Sequence, residues 1–144
     1  MGMDGYLSFS QNRRNEVKDK IKQTLLKEKK VVFSFVFGSF LDSPSFRDID
    51  IAVYVDKLDK SDIFDYENNF SQKIAKECEL PFDIFEVKIL NFAPSNFLNN
   101  IFSRGQMLFC RDSELLSSLI ENTSLDALAN EYVAYQSLKE LVPA

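Results

Sequence analysis

Residues Val31–Val55 read VVFSFVFGSFLDSPSFRDIDIAVYV, and the fold turns on this stretch. An apolar, β-branched and aromatic run ends in Gly38-Ser39. Eight residues of polar and turn-forming chain follow, and a second such run opens with Asp48-Ile49-Asp50. The pattern predicts strand, turn, strand, with chemistry at the turn. Successive strand side chains point to opposite faces, so Asp48 and Asp50 share one face and Ile49, Ile51, Val53 and Val55 take the other. In the first strand, Val31 to Phe37, alternation places Phe33, Phe35 and Phe37 on one face and Val32, Ser34 and Val36 on the other. Both faces are largely covered, as in a layered α/β domain.

Two carboxylates held side by side repel, and each raises the pKa of the other unless a cation sits between them. Oxygen-only ligands point to Mg²⁺ or Mn²⁺, which bind through one or two carboxylates and leave other positions to water and phosphate oxygens. Gly38 lets the backbone approach a ligand, and the N–H and hydroxyl of Ser39 can donate to phosphate. An isolated Asp-x-Asp is also an ordinary way to leave a turn and enter a strand. The Gly-Ser and the two flanking strands are what set this one apart.

At 144 residues, with 45% hydrophobic residues and 14 phenylalanines, the chain fits one domain with a packed core. No stretch approaches the roughly 18 consecutive apolar residues of a membrane span, and residues 1–15 lack the apolar core of a signal peptide, so a cytoplasmic protein without membrane attachment is expected. Cys78 and Cys110 have no CxxC spacing and read as reduced, partly buried thiols. The chain has no histidine, which removes Ser-His-Asp and Cys-His schemes and leaves carboxylates as general bases. A net charge of -5 argues against stable nucleic-acid binding. Eight of the 17 basic residues lie between residues 13 and 30, as a solvated helix face or a patch for an acidic partner.

Along the chain, a first helix is expected from Ser10 or Asn12 to about Lys30, with Val17, Ile21 and Leu25 on its apolar stripe. A second runs from Asp59 or Ser61 to Glu79 with Ile63, Phe64, Phe70 and Ile74 inward, and Pro81 ends it. Strand three follows, with Asp83, Phe85 and Val87 sharing a face and Phe82, Ile84 and Glu86 the other. A short helix from Ser95 or Asn96 to Arg104, capped by Gly105, leads to an edge strand over Gln106–Cys110. The tail is helical, with one apolar cluster at Leu115, Leu116, Leu119 and Ile120 and a second at Leu125, Leu128, Ala129, Tyr132, Tyr135 and Leu138. Both are expected to pack on the domain, or else to form the surface of a homo- or hetero-oligomer.

Gly38-Ser39 at a strand end, a short loop and Asp48-x-Asp50 on the next strand together resemble the minimal nucleotidyltransferases of the DNA polymerase β superfamily. The resemblance covers residues 31–112 and, more loosely, the tail. It implies a third acid, Asp83 in PFDIFEVKI, and matches FLNNIFSRGQMLFCRD to the closing helix, glycine and strand. The implied fold is α/β (α+β), a mixed sheet of about four strands packed with helices. The whole chain, 1–144, is expected to be one domain, with its core at 31–112 and a helical segment at 113–142. The loop FLDSPSFR is shorter than in many relatives and lacks the glycine and arginines they carry there.

The implied activity is transfer of a nucleoside monophosphate, AMP from ATP, to a hydroxyl. Asp48, Asp50 and Asp83 would be the catalytic acids and the ligands of two Mg²⁺ ions, and Gly38, Ser39 and Arg47 would hold the phosphates. Small stand-alone members resemble the antitoxin partner of HEPN-domain ribonuclease toxins, which adenylylates a tyrosine of the toxin. Two other readings stay open. One is a binding module that neutralises its partner by contact alone, which the shortened loop favours. The other is a metal-assisted phosphohydrolase, which leaves Gly38-Ser39 without a role.

Overall fold

The computed structural model describes residues 5–141. In order these form α1 (Gln11–Leu26), β1 (Val31–Phe37), the single turn α2 (Ser39–Asp42), β2 (Ile49–Val55), α3 (Ile63–Cys78), β3 (Phe85–Ile89), α4 (Ser95–Arg104), β4 (Gln106–Cys110) and α5 (Ser113–Leu141). Two 3-10 turns, Lys60–Asp62 and Phe82–Ile84, precede α3 and β3. The four strands make one mixed sheet in the order β3-β2-β1-β4. β1 runs antiparallel to both β2 and β4, while β2 and β3, joined through α3, are parallel. This is the expected mixed sheet packed with helices.

One face of the sheet is sealed by α1 and α3. Val17, Ile21 and Leu25 of α1 and Phe70, Ile74 and Cys78 of α3 close over Ile49, Ile51, Val53, Val55, Phe85 and Val87. Burying each such aliphatic side chain contributes about 1.5–3 kcal/mol, so this layer fixes the register of β2 and with it the position of both aspartates. The other face is covered over β1, β4 and the middle of β2, where Phe33, Phe35, Ala52 and Leu90 meet Leu98 and Ile101 of α4 and Leu116 of α5. Its β2–β3 corner stays open.

Several local expectations change. A register shift between Val31 and Phe33 turns Val31 to the α1 side, so Val32 packs with Phe33 and Phe35 and not opposite them. α1, capped by Ser10 accepting from Arg13 N at 3.1 Å, ends at Leu26, a turn earlier than expected. Arg111 donates to the carbonyls of Leu26, Glu28 and Val31 there and satisfies the helix end. Phe64 is 73% exposed and not turned inward. Gly105 caps α4 with extended backbone, but it is still required, because a Cβ would lie 2.6 Å from the Ile101 carbonyl oxygen.

Asp83 is not in strand three. Pro81 starts a 3-10 turn in which Ile84 N donates to Pro81 O at 3.2 Å, and the strand begins only at Phe85. In α5, Leu116 is buried and Leu119 packs beside it, but Leu125, Leu128 and Tyr132 are exposed, so these members of the second cluster do not pack on the domain. The side chains of Tyr135 and Leu138, and Val142, lie outside the described residues. Cys78 is buried and Cys110 half-buried, both as free thiols. Among the described residues no helix is long and apolar enough to cross a membrane.

Candidate active site

Asp50 is the second residue of β2 and stands between two strands. Across one side its partner is Phe37, the last residue of β1; across the other it is Glu86 of β3. Parallel in-register pairing turns Asp50 and Glu86 to the same open face, where their carboxyl groups hydrogen-bond. Such a bond between two acids requires a shared proton. Burial first, then this hydrogen bond and the charge of Glu86, push the Asp50 carboxyl up to about 7, against a partial offset from Lys88. Asp48, just before β2, is raised by burial and by Glu86, with Arg47 lowering it and Asp83 adding a smaller upward push.

The β1 side of Asp50 is filled by Gly38. Its φ of +80° suits glycine, and a Cβ built there would overlap Oδ2 of Asp50. The chain then makes one helical turn, with Leu41 N donating to Gly38 O at 3.0 Å and Ser43 N to Ser39 O at 2.8 Å. Ser39 is exposed at the start of this turn, where the first N–H groups have no acceptor within the helix.

The loop from Phe40 to Arg47 is held by a residue the sequence reading left on a helix face. Arg14 of α1 is 7% exposed and donates to the carbonyls of Phe9 at 3.2 Å, Pro44 at 2.7 Å and Phe40. Its guanidinium lies 5.4 Å from the Phe40 ring centroid and 5.1 Å from that of Phe46, and the Phe40 and Phe46 rings meet edge to face at 4.9 Å. Three charge-assisted bonds at one buried group fix the loop's path from Ser39 to Asp48. Phe9, Phe40 and Phe46 around an early arginine were the available sign. Arg47 is exposed, stacks at 4.6 Å on the Tyr6 ring, and acts on Asp48 through its charge.

Of the residues singled out from sequence, Gly38, Ser39, Asp48 and Asp50 therefore meet at one corner of the sheet, with Arg47 beside Asp48. Asp83 is exposed in the turn before β3, near enough to act on Asp48. Glu86 was missed as a site residue, although Phe85, Val87 and Ile89 on the alternate positions mark it as the polar face of its strand. Among the described residues no three acidic side chains stand ready as a metal cage. The donors nonetheless suit a hard divalent cation, which needs only one or two carboxylates. They are all oxygen, they carry more negative charge than Arg47 and Lys88 offset, and a cation would replace the proton that Asp50 and Glu86 share.

A family model described as polymerase beta, nucleotidyltransferase matches residues 19–114, about two-thirds of the chain. No curated protein matches by sequence. Solved structures share the fold. A tri-AMPylated Shewanella oneidensis HEPN toxin in complex with MNT antitoxin matches at 18% identity and TM-score 0.62 over 89% of this chain and 98% of that one. A toxin–antitoxin structure with AMP-PNP matches at 20% identity and TM-score 0.63, covering 86% and 97%. A toxin–antitoxin MntA-HepT structure matches at 16% identity and TM-score 0.56, covering 92% and 98%. With Gly38 seated against Asp50 and the family model spanning the sheet that carries both, the chain belongs to the polymerase β nucleotidyltransferase family.

Proposed function

We propose that this nucleotidyltransferase moves AMP from ATP to a tyrosine of a HEPN-type toxin and so acts as its antitoxin. The observation that carries the reading is the contact of Gly38 with the Asp50 carboxylate, which sets a phosphate-accepting turn directly beside a pair of acids. The likeness to toxin–antitoxin complexes, one with AMP-PNP, supports the choice of nucleotide and partner.

Asp48 and Asp50 would hold Mg²⁺ or Mn²⁺, one ion or two, with Glu86 on the far side of Asp50 and Asp83 behind Asp48. When bound, the metal supplies positive charge to the triphosphate and to the entering and leaving oxygens. The Ser39 N–H and hydroxyl donate to the β and γ phosphates, and Gly38 allows their approach. Arg47 offsets charge at the Asp48 end. Arg14 keeps the loop fixed so that these groups need no rearrangement as charge moves. A carboxylate on the β3 side accepts the proton of the attacking hydroxyl.

The test is incubation with Mg²⁺, radiolabelled ATP and a candidate HEPN partner, beside an Asp48→Asn, Asp50→Asn variant. Label moves to the partner with the native chain and falls below about one-thousandth of that rate with the variant. The exposed Leu125, Leu128, Tyr132 and Val133 of α5 favour a second reading, neutralisation by contact alone. In that case native and variant chains inhibit the partner equally and neither moves label.

A further inference from the structure

The outer edge of β3 is tied to α3 at both ends and open in the middle. Leu90 N donates to Val53 O at 2.9 Å, so the even-numbered peptides of β3 face β2 and the odd-numbered ones face outward. Of the outward groups, Phe85 O accepts from the Ser71 hydroxyl at 3.2 Å and Ile89 N donates to the Glu67 carboxylate at 3.0 Å. Val87 lies between them, and its outward N–H and C=O meet no partner among the described residues. A cleft of about 180 Å³ opens on this peptide. An unpaired N–H and C=O on an edge strand is a template for another strand. The side chains around Val87 select the one that fits. Glu86 and Lys88 flank it on the face that carries Asp50, and exposed rings stand beyond both ends, Phe82 at 54% before the strand and Phe92 at 52% after it.

We propose that β3 pairs with β3 of a second copy of this chain, antiparallel and in register at Val87, joining two four-stranded sheets into one. In that register the two Val87 residues exchange both N–H···O bonds, as a hydrogen-bonded antiparallel pair does, and so use the open peptide of each edge. Glu86 falls opposite Lys88 of the partner subunit, and Lys88 opposite the partner's Glu86, so both cross-strand pairs are opposite in charge. A register shift of one pair either way would set Glu86 against the partner's Glu86 or Lys88 against the partner's Lys88. It would also direct Val87 at peptides already bonded to Ser71 or Glu67. The two-fold carries Phe82 toward the partner's Phe92 and sets the two α3 helices side by side, where Phe64, 73% exposed, and Asn68 meet the other copy. Three exposed rings along one edge are thereby covered. The interface is independent of the transfer reaction, but it brings the partner's Lys88 beside the acidic corner.

Sedimentation equilibrium of the full chain between about 1 and 500 µM tests this pairing. The native chain passes from one copy to two with a Kd on the order of 10–100 µM, since a short edge and exposed ion pairs contribute modestly. It goes no further, because a two-fold interface closes on itself. Lys88→Glu sets acids against acids across the two-fold and weakens association more than about tenfold. Adding Glu86→Lys restores opposite charges in reversed order and brings the Kd back to within about threefold of native. Thermal melts check that both variants are folded. In the native chain the Val87 amide proton exchanges at least about tenfold more slowly at the high end of the range, where its N–H is bonded. A native chain that stays monomeric, a dimer with unchanged Val87 exchange, a Lys88→Glu chain that pairs as well as native, or a folded double variant that does not recover overturns the assignment.

Discussion

The two neighbours of Asp50 are built on opposite principles. Toward β1, the backbone is fixed: Gly38 fits against the carboxylate without a Cβ, and the loop beyond it is tied to Arg14 through the Phe40 and Pro44 carbonyls and two rings. Toward β3, Glu86 faces Asp50 with a like charge, Asp83 adds another near Asp48, and Lys88 offsets them only in part. The first side is rigid before any ligand arrives. The second carries an imbalance that a cation and an incoming acceptor can relieve. A transferase that stabilises charge by position needs both, a fixed cradle for the phosphates and an unsatisfied corner for the metal.

Removing the support of the fixed side should have the largest effect. Arg14→Ala leaves the Phe9, Phe40 and Pro44 carbonyls short of a buried donor and costs about 3 kcal/mol, which lowers Tm by roughly 10 °C in a thermal melt. Arg14→Lys restores less than half of that, because an ammonium lacks the planar fork that meets several carbonyls at once. Equal melting of native and alanine chains would show that the loop holds without its clamp. Next in size is Gly38→Ala. The added methyl meets Asp50 in a backbone conformation unfavourable to alanine, and displacing the carboxylate lowers transfer about 100-fold. The melt changes less, by about 1–2 kcal/mol, because the residue lies at the edge of the core.

The open side yields a sharper comparison, between two acids. Glu86 hydrogen-bonds Asp50 and is the larger influence on Asp48, where Asp83 adds only a smaller push. Glu86→Gln is expected to lower kcat about tenfold or more, and Asp83→Asn only about two- to threefold, at saturating Mg²⁺ and ATP. A larger loss with Asp83→Asn would return the third carboxylate to the residue the sequence pattern favoured.

That choice shows where the sequence was readable. Periodicity fixed β1, β2 and β4 closely, since their apolar alternation has no competing interpretation, and Gly38 and Asp50 were found because a glycine at a strand end and two acids one residue apart are local signals. Glu86 is not local. It belongs to the site only because β3 lies parallel to β2 in a register that sets residue 86 beside residue 50, and that register follows from packing against α1 and α3. Pro81 compounded the difficulty: an extended chain after proline is the usual expectation, but the 3-10 turn it starts rotates Asp83 out of the strand. Arg14 was hidden in the same way, because a basic residue on a lysine-rich helix reads as solvated until the rings of Phe40 and Phe46 and the carbonyl of Phe9 are folded around it. The end of α5 illustrates the reverse case, where helical spacing was correct and the burial it implied was not, as Leu128 and Tyr132 remain exposed.

The smallest effect expected concerns the proton between Asp50 and Glu86. Asp50 has a folded pKa of about 7, above its ordinary 3.8. Below the unfolded value both states hold the proton and nothing is lost. Between the two values the unfolded chain releases its proton while the folded chain keeps it, so native stability falls as pH rises, and above about 7 the loss is complete. Asp50→Asn removes the titration while keeping a donor toward Glu86. Without metal at pH 8 the variant should therefore melt higher than the native chain by roughly 3 °C, after allowance for solvent screening, and the gap should close on approach to pH 4. Mg²⁺ should then raise the native Tm and leave the variant nearly unchanged, because the cation takes the place of the shared proton only where a carboxylate can bind it. If the native chain instead melts higher at pH 8 without metal, the corner carries no electrostatic strain, and the contrast between the two sides of Asp50 reduces to packing alone.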